Sequence, residues 1–176
     1  HVADRVSGVV SIDPNTGAQS VLLSPSALGG RTARGICLAG DSTLAITTVG
    51  SNSGAVLSVN PRTREVGVVS QGGLLENPAC VTLGPDGVLY VGDLSANSAP
   101  GTSGSIVRVD ASGGQNLFAN GGPFRGPFDI AISGDGWIWS AQWGGLSRRG
   151  GVHPPVLPHA HQHRRGAGGE HRPRGG

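Results

Sequence analysis

A few oxygen-bearing side chains could bind a ligand or a metal ion in this chain of 176 residues. Hard divalent cations bind several converging oxygen atoms. Asp93 and Asp129 are therefore the candidate metal ligands, Asn77 and Asn97 are their neutral partners, and Ca²⁺ is the candidate cofactor. The sequence favours a structural alternative, in which Asp93 caps the end of a strand and Asp129 binds loop backbone.

Two further side chains could contact a small molecule. Trp143 lies beside Gln142 after the last apolar run, where an aromatic ring can form the rim of a pocket. The extended loop 94–103 is a second candidate, because loops on a rigid scaffold often bind ligands. The predicted ligand-binding residues are Asn77, Asp93, Asn97, Asp129, Gln142 and Trp143.

The sequence predicts no catalytic residue. Residues 2 to 144 contain no histidine, and the chain has neither a P-loop nor a Gly-x-Ser-x-Gly element. A nucleophile in this region would lack the imidazole that usually activates it. His159, His161 and His163 alternate near the C-terminal end and would chelate Ni or Zn only weakly.

The candidate residues are positioned by an inner hairpin that occurs three times. Residues 77–93 (NPACVTLGPDGVLYVGD) and 126–142 (GPFDIAISGDGWIWSAQ) each contain two apolar runs joined by a Gly/Pro/Asp turn. A weaker copy surrounds Asp41. The turn residues Asp41, Asp86 and Asp135 are 45 and 49 positions apart.

An outer hairpin recurs with nearly the same period. Its turns begin at Asp13, Asn60 and Asp110, which are 47 and 50 positions apart. In the second copy, Arg64 stands where the others have glycine, so either the turn changes type or Arg64 takes a strained positive φ. Two hairpins with one period indicate repeats of four strands, as in propeller blades.

The sequence therefore predicts an all-β fold with twelve strands by residue 144. This is an incomplete β-propeller of about three four-stranded blades, because closed propellers have about four to eight. The predicted domain is 1–145, with repeats of about 7–53, 54–103 and 104–145. A β-sandwich is the alternative, and the double-hairpin period argues against it.

Apolar runs within the inner hairpins indicate that both faces of each blade are covered. Residues 88–91 and 137–139 are continuous apolar runs rather than alternating ones. Cys37 and Cys80 lie in equivalent strands of successive repeats, which favours two small buried residues over a disulfide.

The composition changes near residue 145. Residues 1–144 carry seven arginines and ten acidic residues, whereas residues 145–176 carry six arginines and one acid, Glu170. The charge of the repeat region thus gives no reason to expect that it binds nucleic acid. No apolar run in the sequence is long enough for a membrane span. Residues 146–176 are predicted to be disordered, and a shift of reading frame would explain the change.

The hairpin motifs resemble those of the NHL-repeat and SMP-30/gluconolactonase-like six-bladed β-propellers. The resemblance rests on the proline before the inner strand, Asp86-Gly87 in the turn, and the sequence GSIVRVD at 104–110. The resemblance to the lactonases of this group implies two metal-ligand positions. Ala79 and Phe128 occupy these positions here, so neither carries the expected ligand. The resemblance to streptogramin lyases also implies an essential histidine, which the repeat region lacks.

Our sequence-based hypothesis is a non-catalytic binding module, part of a larger six-bladed protein. Its predicted partner is a small molecule or a protein at the propeller mouth, with no nucleic acid. The resemblance implies an extracytoplasmic (secreted or periplasmic) bacterial protein. The alternative is a metal-dependent lactonase whose remaining ligands lie on blades outside this sequence.

Overall fold

A computed structural model describes residues 1–40, 42–51, 53–95, 104–121 and 124–142. These residues form thirteen β-strands and no helix, which confirms the predicted all-β class. The strands are β1 (Val2–Asp4), β2 (Gly8–Ile12), β3 (Gln19–Leu23), β4 (Thr32–Leu38), β5 (Leu44–Val49), β6 (Gly54–Val59), β7 (Val66–Gln71), β8 (Pro78–Leu83), β9 (Leu89–Asp93), β10 (Ser105–Val109), β11 (Gln115–Asn120), β12 (Pro127–Ile132) and β13 (Ile138–Gln142). The predicted disorder of 146–176 lies outside the described residues. Within those ranges, a search for helices able to cross a membrane finds none.

The strands form four antiparallel sheets in chain order. Sheet 1 has the order β1-β2-β3, sheet 2 β4-β5-β6-β7, sheet 3 β8-β9-β10-β11, and sheet 4 is the pair β12-β13. Sheets 2 and 3 each begin with an inner hairpin and continue into the outer hairpin that follows it. Each sequence repeat begins with an outer hairpin, whereas each of these sheets begins with an inner hairpin. The repeats and the sheets are therefore offset by one hairpin.

Three hydrophobic clusters lie between successive sheets. Neighbouring residues of one strand enter different clusters, because side chains alternate between the faces of a strand. In β5, Ile46 packs toward sheet 1 and Ala45 toward sheet 3; in β9, Val91 packs toward sheet 2 and Tyr90 toward sheet 4. Sheets 2 and 3 are thus covered on both faces, as the continuous apolar run at 88–91 predicts.

Sheet 4 departs from this expectation. Ile138 is buried against sheet 3, but the next residue, Trp139, is 58% exposed. The run 137–139 had indicated cover on both faces. Among the described residues only sheet 3 packs against sheet 4, so the second apolar face of β13 lies open.

The outer turns share a side-chain acceptor at their first position. The side-chain Oδ1 atoms of Asp13, Asn60 and Asp110 each accept bonds from two backbone N–H groups two to four residues further on, at 2.8–3.2 Å. This is the local bonding that makes Asp and Asn favourable at the first position of a turn. The three turns therefore form from the same chemistry in three copies.

Arg64 takes the strained alternative that the sequence left open. Its φ is 64°, close to the 72° of the equivalent Gly17, and both residues donate their N–H to the carbonyl of the turn's first residue. In the third turn the positive φ falls on Gly113, at 84°, rather than on Gly114. The second turn thus keeps the geometry of the first and places a side chain where glycine is preferred.

A glutamine joins sheets 2 and 3 at their outer edge. The side chain of Gln115 accepts the backbone N–H of Leu74 at 2.7 Å and donates to the Ser70 hydroxyl at 2.9 Å and the Gly72 carbonyl at 3.0 Å. The Ser70 hydroxyl in turn donates to the Gly113 carbonyl at 2.8 Å. Polar contacts therefore connect these sheets where the apolar cluster ends.

The first strand, β1, was not predicted. Its three residues pair with β2, and three residues are too few to show a strand period. The Asp4 carboxylate accepts the N–H groups of Val6 and Ser7 at 3.0 and 2.6 Å, and these bonds, Ser7 first, lower the pKa of Asp4. They close the turn that carries Arg5.

Candidate functional site

The first strands of sheets 2, 3 and 4 carry a β-bulge at the same place. In β4 the extra residue is Arg34; Ala79 in β8 and Phe128 in β12 hold the equivalent position. These residues are 45 and 49 positions apart, which is the period of the inner turns. Bulges re-aim side chains and are common beside functional sites.

Close approach of β4 and β8 brings two of the bulges together. A Cβ atom added to Gly35 would lie 2.6 Å from the Cα of Cys80 and 2.8 Å from the carbonyl oxygen of Ala79. The backbone N–H of Gly35 donates to the Thr47 hydroxyl at 2.8 Å, which holds the bulge against β5. Glycine is required here because the neighbouring backbone occupies the space of a side chain.

The bulged residues line one pocket of ≈ 650 Å³. Its walls come from the ends of β4, β8 and β12, from the β1–β2 turn and from residues beside β9 and β12. The lining residues are Arg5, Arg34, Gly35, Ala79, Cys80, Leu94, Arg125, Gly126, Phe128 and Asp129. The volume is in the usual range for small-molecule sites, about 300–1,000 Å³.

Positive charge dominates the lining. Among the described lining residues, Arg5, Arg34 and Arg125 share the pocket with one carboxylate, that of Asp129. The Nη2 of Arg34 donates to the Asn77 side-chain oxygen at 3.2 Å, whereas its Nε is enclosed and has no hydrogen-bond acceptor. Desolvation, and then the charge of Arg5, lowers the pKa of Arg34. The pocket therefore holds a guanidinium group whose charge no carboxylate of the described residues neutralises.

Asp93, the other predicted metal ligand, lies at the end of a strand rather than in the pocket lining. It is fully buried at the end of β9. Its carboxylate accepts the backbone N–H of Asn77 at 2.9 and 3.1 Å and that of Ser95 at 2.9 Å. This agrees with the structural alternative, in which Asp93 caps the strand end and supports the chain that enters β8.

The other predicted residues divide between the pocket and its surroundings. Asp129 lines the pocket directly, and its carboxylate accepts the N–H of Ile130 at 3.0 Å. Asn77 contacts Arg34, and the Gln142 side chain accepts the backbone N–H of Arg125 at 3.0 Å. Asn97 and Trp143 lie outside the described residues.

A cluster of metal-binding side chains is absent from the described ranges, where no group of three His, Cys, Asp or Glu could hold an ion. Asp93 and Asp129 both influence the pKa of Cys80, but the three residues do not form such a group. Their role as metal ligands therefore stays a prediction.

Both cysteines are free thiols. Burial, followed by smaller effects of Asp129 and Asp93, raises the pKa of Cys80 to about 12, and burial raises the pKa of Cys37 to about 11. The Cys80 thiol, 3.8 Å from the Pro127 carbonyl, fills space between β8 and β12. A protonated thiol is a poor nucleophile, and Cys80 packs in the pocket wall.

Comparisons with known proteins identify the fold. A scan against protein-family models gives no match, and neither does a comparison with the sequences of curated proteins. The solved structure of the PQQ-bound aldose sugar dehydrogenase from Streptomyces coelicolor, a β-propeller, matches 80% of this chain with a TM-score of 0.63 and 17% identity. The described residues form part of a β-propeller.

A second solved structure supports the same architecture. The extracellular domain of a protein described as a one-component system, from B. thetaiotaomicron, matches 78% of this chain with a TM-score of 0.54 and 12% identity. The chain spans 51% of the dehydrogenase and 18% of the second protein. Sheets 1 to 4 are accordingly blades, complete in sheets 2 and 3.

Arg34 is the main pocket residue that sequence reasoning missed. The positions of Ala79 and Phe128 had been identified from the family resemblance, as sites where ligands were expected. The same period, extended one repeat upstream, leads to Arg34. Arg5 and Arg125 had no such signal, because both lie outside the repeated inner hairpins, Arg125 by one residue.

Proposed function

We propose that this chain is a non-catalytic propeller module that binds a small molecule in the pocket at the inner ends of its blades. The supporting observation is that equivalent bulges of three blades meet at one pocket and present different side chains: a guanidinium, a methyl group and an aromatic ring. A structural role alone would favour the same residue in each copy, as in the outer turns.

Among the described residues of the lining there is no reactive pair, which supports a binding role over catalysis. Hydrolysis would need a nucleophile or bound water with a base in reach. The pocket offers a protonated thiol, three guanidinium groups and one carboxylate. A lactonase of the kind the family resemblance implies would need oxygen ligands at the bulged positions, and Ala79 and Phe128 provide none.

The NHL/SMP-30-like relationship and the extracytoplasmic location belong to the same proposal. The first rests on the hairpin motifs, and the fold likeness supports it only at the level of the propeller. The second is supported by the extracellular origin of one structural neighbour.

A fragment screen by ligand-observed NMR tests the binding function, with two variants of one hairpin. Phe128 lines the pocket and is 48% exposed, while Trp139 is an exposed aromatic residue outside the lining. We expect Phe128→Ala to weaken the binding of pocket ligands by about tenfold, the loss expected when an aromatic contact area disappears. Trp139→Ala should leave their binding unchanged.

Two results would contradict the proposal: a screen in which no fragment binds, or fragments that bind wild type and Phe128→Ala equally. Repeating the titrations with excess Ca²⁺ and with a chelator tests the predicted cation at Asp93 and Asp129. Binding that depends on Ca²⁺ would support those two residues as metal ligands.

A further inference from the structure

The distribution of arginine in the repeat region is uneven. Residues 1–144 carry more acids than arginines, yet three of their seven arginines line one pocket, opposite the single carboxylate of Asp129. Like charges placed together in a cavity destabilise the folded state unless a ligand neutralises them. This concentration therefore indicates what kind of molecule the pocket accepts.

Arg34 is the arginine whose surroundings are most informative. It occupies the bulge of β4, and the amide oxygen of Asn77 orients its guanidinium group without neutralising it. Its Nε–H is enclosed and lacks an acceptor. Arg108, by contrast, forms an ion pair with Asp86. Arg34 remains a partly desolvated cation, a state that an incoming oxyanion would relieve.

Part of the pocket lining beside the arginines is apolar. Ala79, Leu94 and the exposed part of the Phe128 ring form a surface beside the arginines. Inorganic anions would leave this surface and most of the ≈ 650 Å³ unused. An occupant with an anionic group at one end and an apolar body at the other would contact both parts of the lining.

We propose that the ligand is a small organic carboxylate with an apolar or aromatic body, bound through its carboxylate by Arg34 with Arg5, and through its body by Phe128. This inference rests on the proposed binding function and specifies its ligand class. Arg is suited to the task, because its planar fork of N–H groups matches a carboxylate in geometry as well as charge.

The test uses acids and their neutral amides as matched probes: benzoate with benzamide, phenylacetate with phenylacetamide, and hexanoate with hexanamide. Affinities for the full chain are measured by calorimetry or ligand-observed NMR. We expect at least one acid to bind about tenfold or more tightly than its amide. Arg34→Gln should remove that preference, and Arg62→Gln, in an exposed outer turn, should leave it intact.

Further measurements keep the test decisive. If Arg34→Gln fails to fold, Arg5→Gln, at an exposed turn residue, is expected to reduce acid binding severalfold. Inorganic phosphate should bind more weakly than the best acid, and Phe128→Ala should weaken the acids but not phosphate.

The inference is overturned if each amide binds as well as its acid, if the arginine variants leave acid binding unchanged, or if phosphate binds more tightly than every acid. It is also overturned if neutral fragments bind in a Phe128-dependent manner while none of the acids binds; the binding function itself would then stand. If neither the acids nor any fragment of the screen binds, the proposed function fails together with the inference.

Discussion

The outer turns and the inner bulges are both repeated three times, but they differ in what repeats. In each outer turn the side-chain oxygen of Asp13, Asn60 or Asp110 accepts the N–H two residues further on, and the side chain is nearly the same in each copy. The inner bulges share their backbone geometry, while their side chains are those of Arg34, Ala79 and Phe128.

This difference separates two kinds of constraint. A turn needs a local acceptor for its own backbone, so equivalent turns favour equivalent residues. A bulge needs only backbone geometry, which leaves its side chain available to face the pocket. A backbone geometry that is repeated while the residue type changes therefore indicates a surface that is specialised for a ligand. If this holds, substitutions that alter the backbone at the inner ends should cost more stability than changes in the outer turns.

Asp93→Ala should have the largest effect. It removes a buried carboxylate and leaves two backbone N–H groups, those of Asn77 and Ser95, without this acceptor. We expect a loss of about 2–4 kcal/mol in the free energy of unfolding, measured with urea. Asp93→Asn, which keeps an acceptor oxygen, should lose less. A loss below about 0.5 kcal/mol for Asp93→Ala, the size of an ordinary surface substitution, would contradict a structural role.

Gly35→Ala tests the close approach of β4 and β8. The new methyl group would meet backbone atoms of Cys80 and Ala79, and backbone yields less readily than a flexible side chain. We expect a loss of about 1–3 kcal/mol. Gly134→Ala is the matched control, because nothing lies within 4 Å of its added Cβ. Equal unfolding midpoints for the two variants would show that the strands can separate without cost.

High pH should destabilise the folded chain through its enclosed thiols. The pKa of Cys80 is about 12 when folded, against an ordinary value of 9.0, so above pH 9.0 the unfolded chain loses a proton that the folded chain keeps. The contribution of this thiol to the free energy of unfolding is fully present below pH 9.0 and is lost as the pH rises toward about 12. Cys80 alone accounts for about 1.4 kcal/mol at pH 10.

Urea unfolding from pH 8 to pH 10.5 measures this effect. Cys37 and Tyr90, whose pKa values are also raised by burial, act in the same direction. Cys80→Ala should therefore flatten the decline without abolishing it. An unchanged slope in Cys80→Ala would mean that the thiol is accessible to solvent.

The smallest predicted effect lies in an outer turn. Arg64→Gly relieves a positive φ and should raise the free energy of unfolding by about 0.5–1 kcal/mol. This gain is small because glycine also has more conformational entropy in the unfolded chain. The reciprocal change, Gly17→Arg, places the same side chain in the equivalent first turn and should destabilise it by a similar amount. Thermal unfolding measures both, and changes of the same sign would show that the two turns are not equivalent.

The sequence predicted the strands and turns well for a physical reason. Each hairpin depends on residues close together in the chain, such as Pro85-Asp86-Gly87, so local chemistry determines it. All twelve predicted strands are present, and among the described residues only β1, three residues long, was missed.

The pocket was harder to predict, because bulges depend on register between strands. The resemblance identified the positions of Ala79 and Phe128, but strict alternation along β12 would have placed Phe128 and Asp129 on opposite faces. The bulge interrupts that alternation, and both residues line the pocket. Trp139 was expected to be covered for a similar reason: burial of a sheet face depends on the next sheet, which a local pattern does not describe.

The hydrogen bonds of Gln115 at the outer edge make the backbone amide hydrogen of Leu74 a probe of the interface between sheets 2 and 3. That hydrogen bonds to a side chain anchored in the neighbouring blade, so deuterium from solvent can replace it only when the two blades part or Gln115 swings away. Its exchange rate thus sets an upper limit on how often adjacent blades of this propeller come apart.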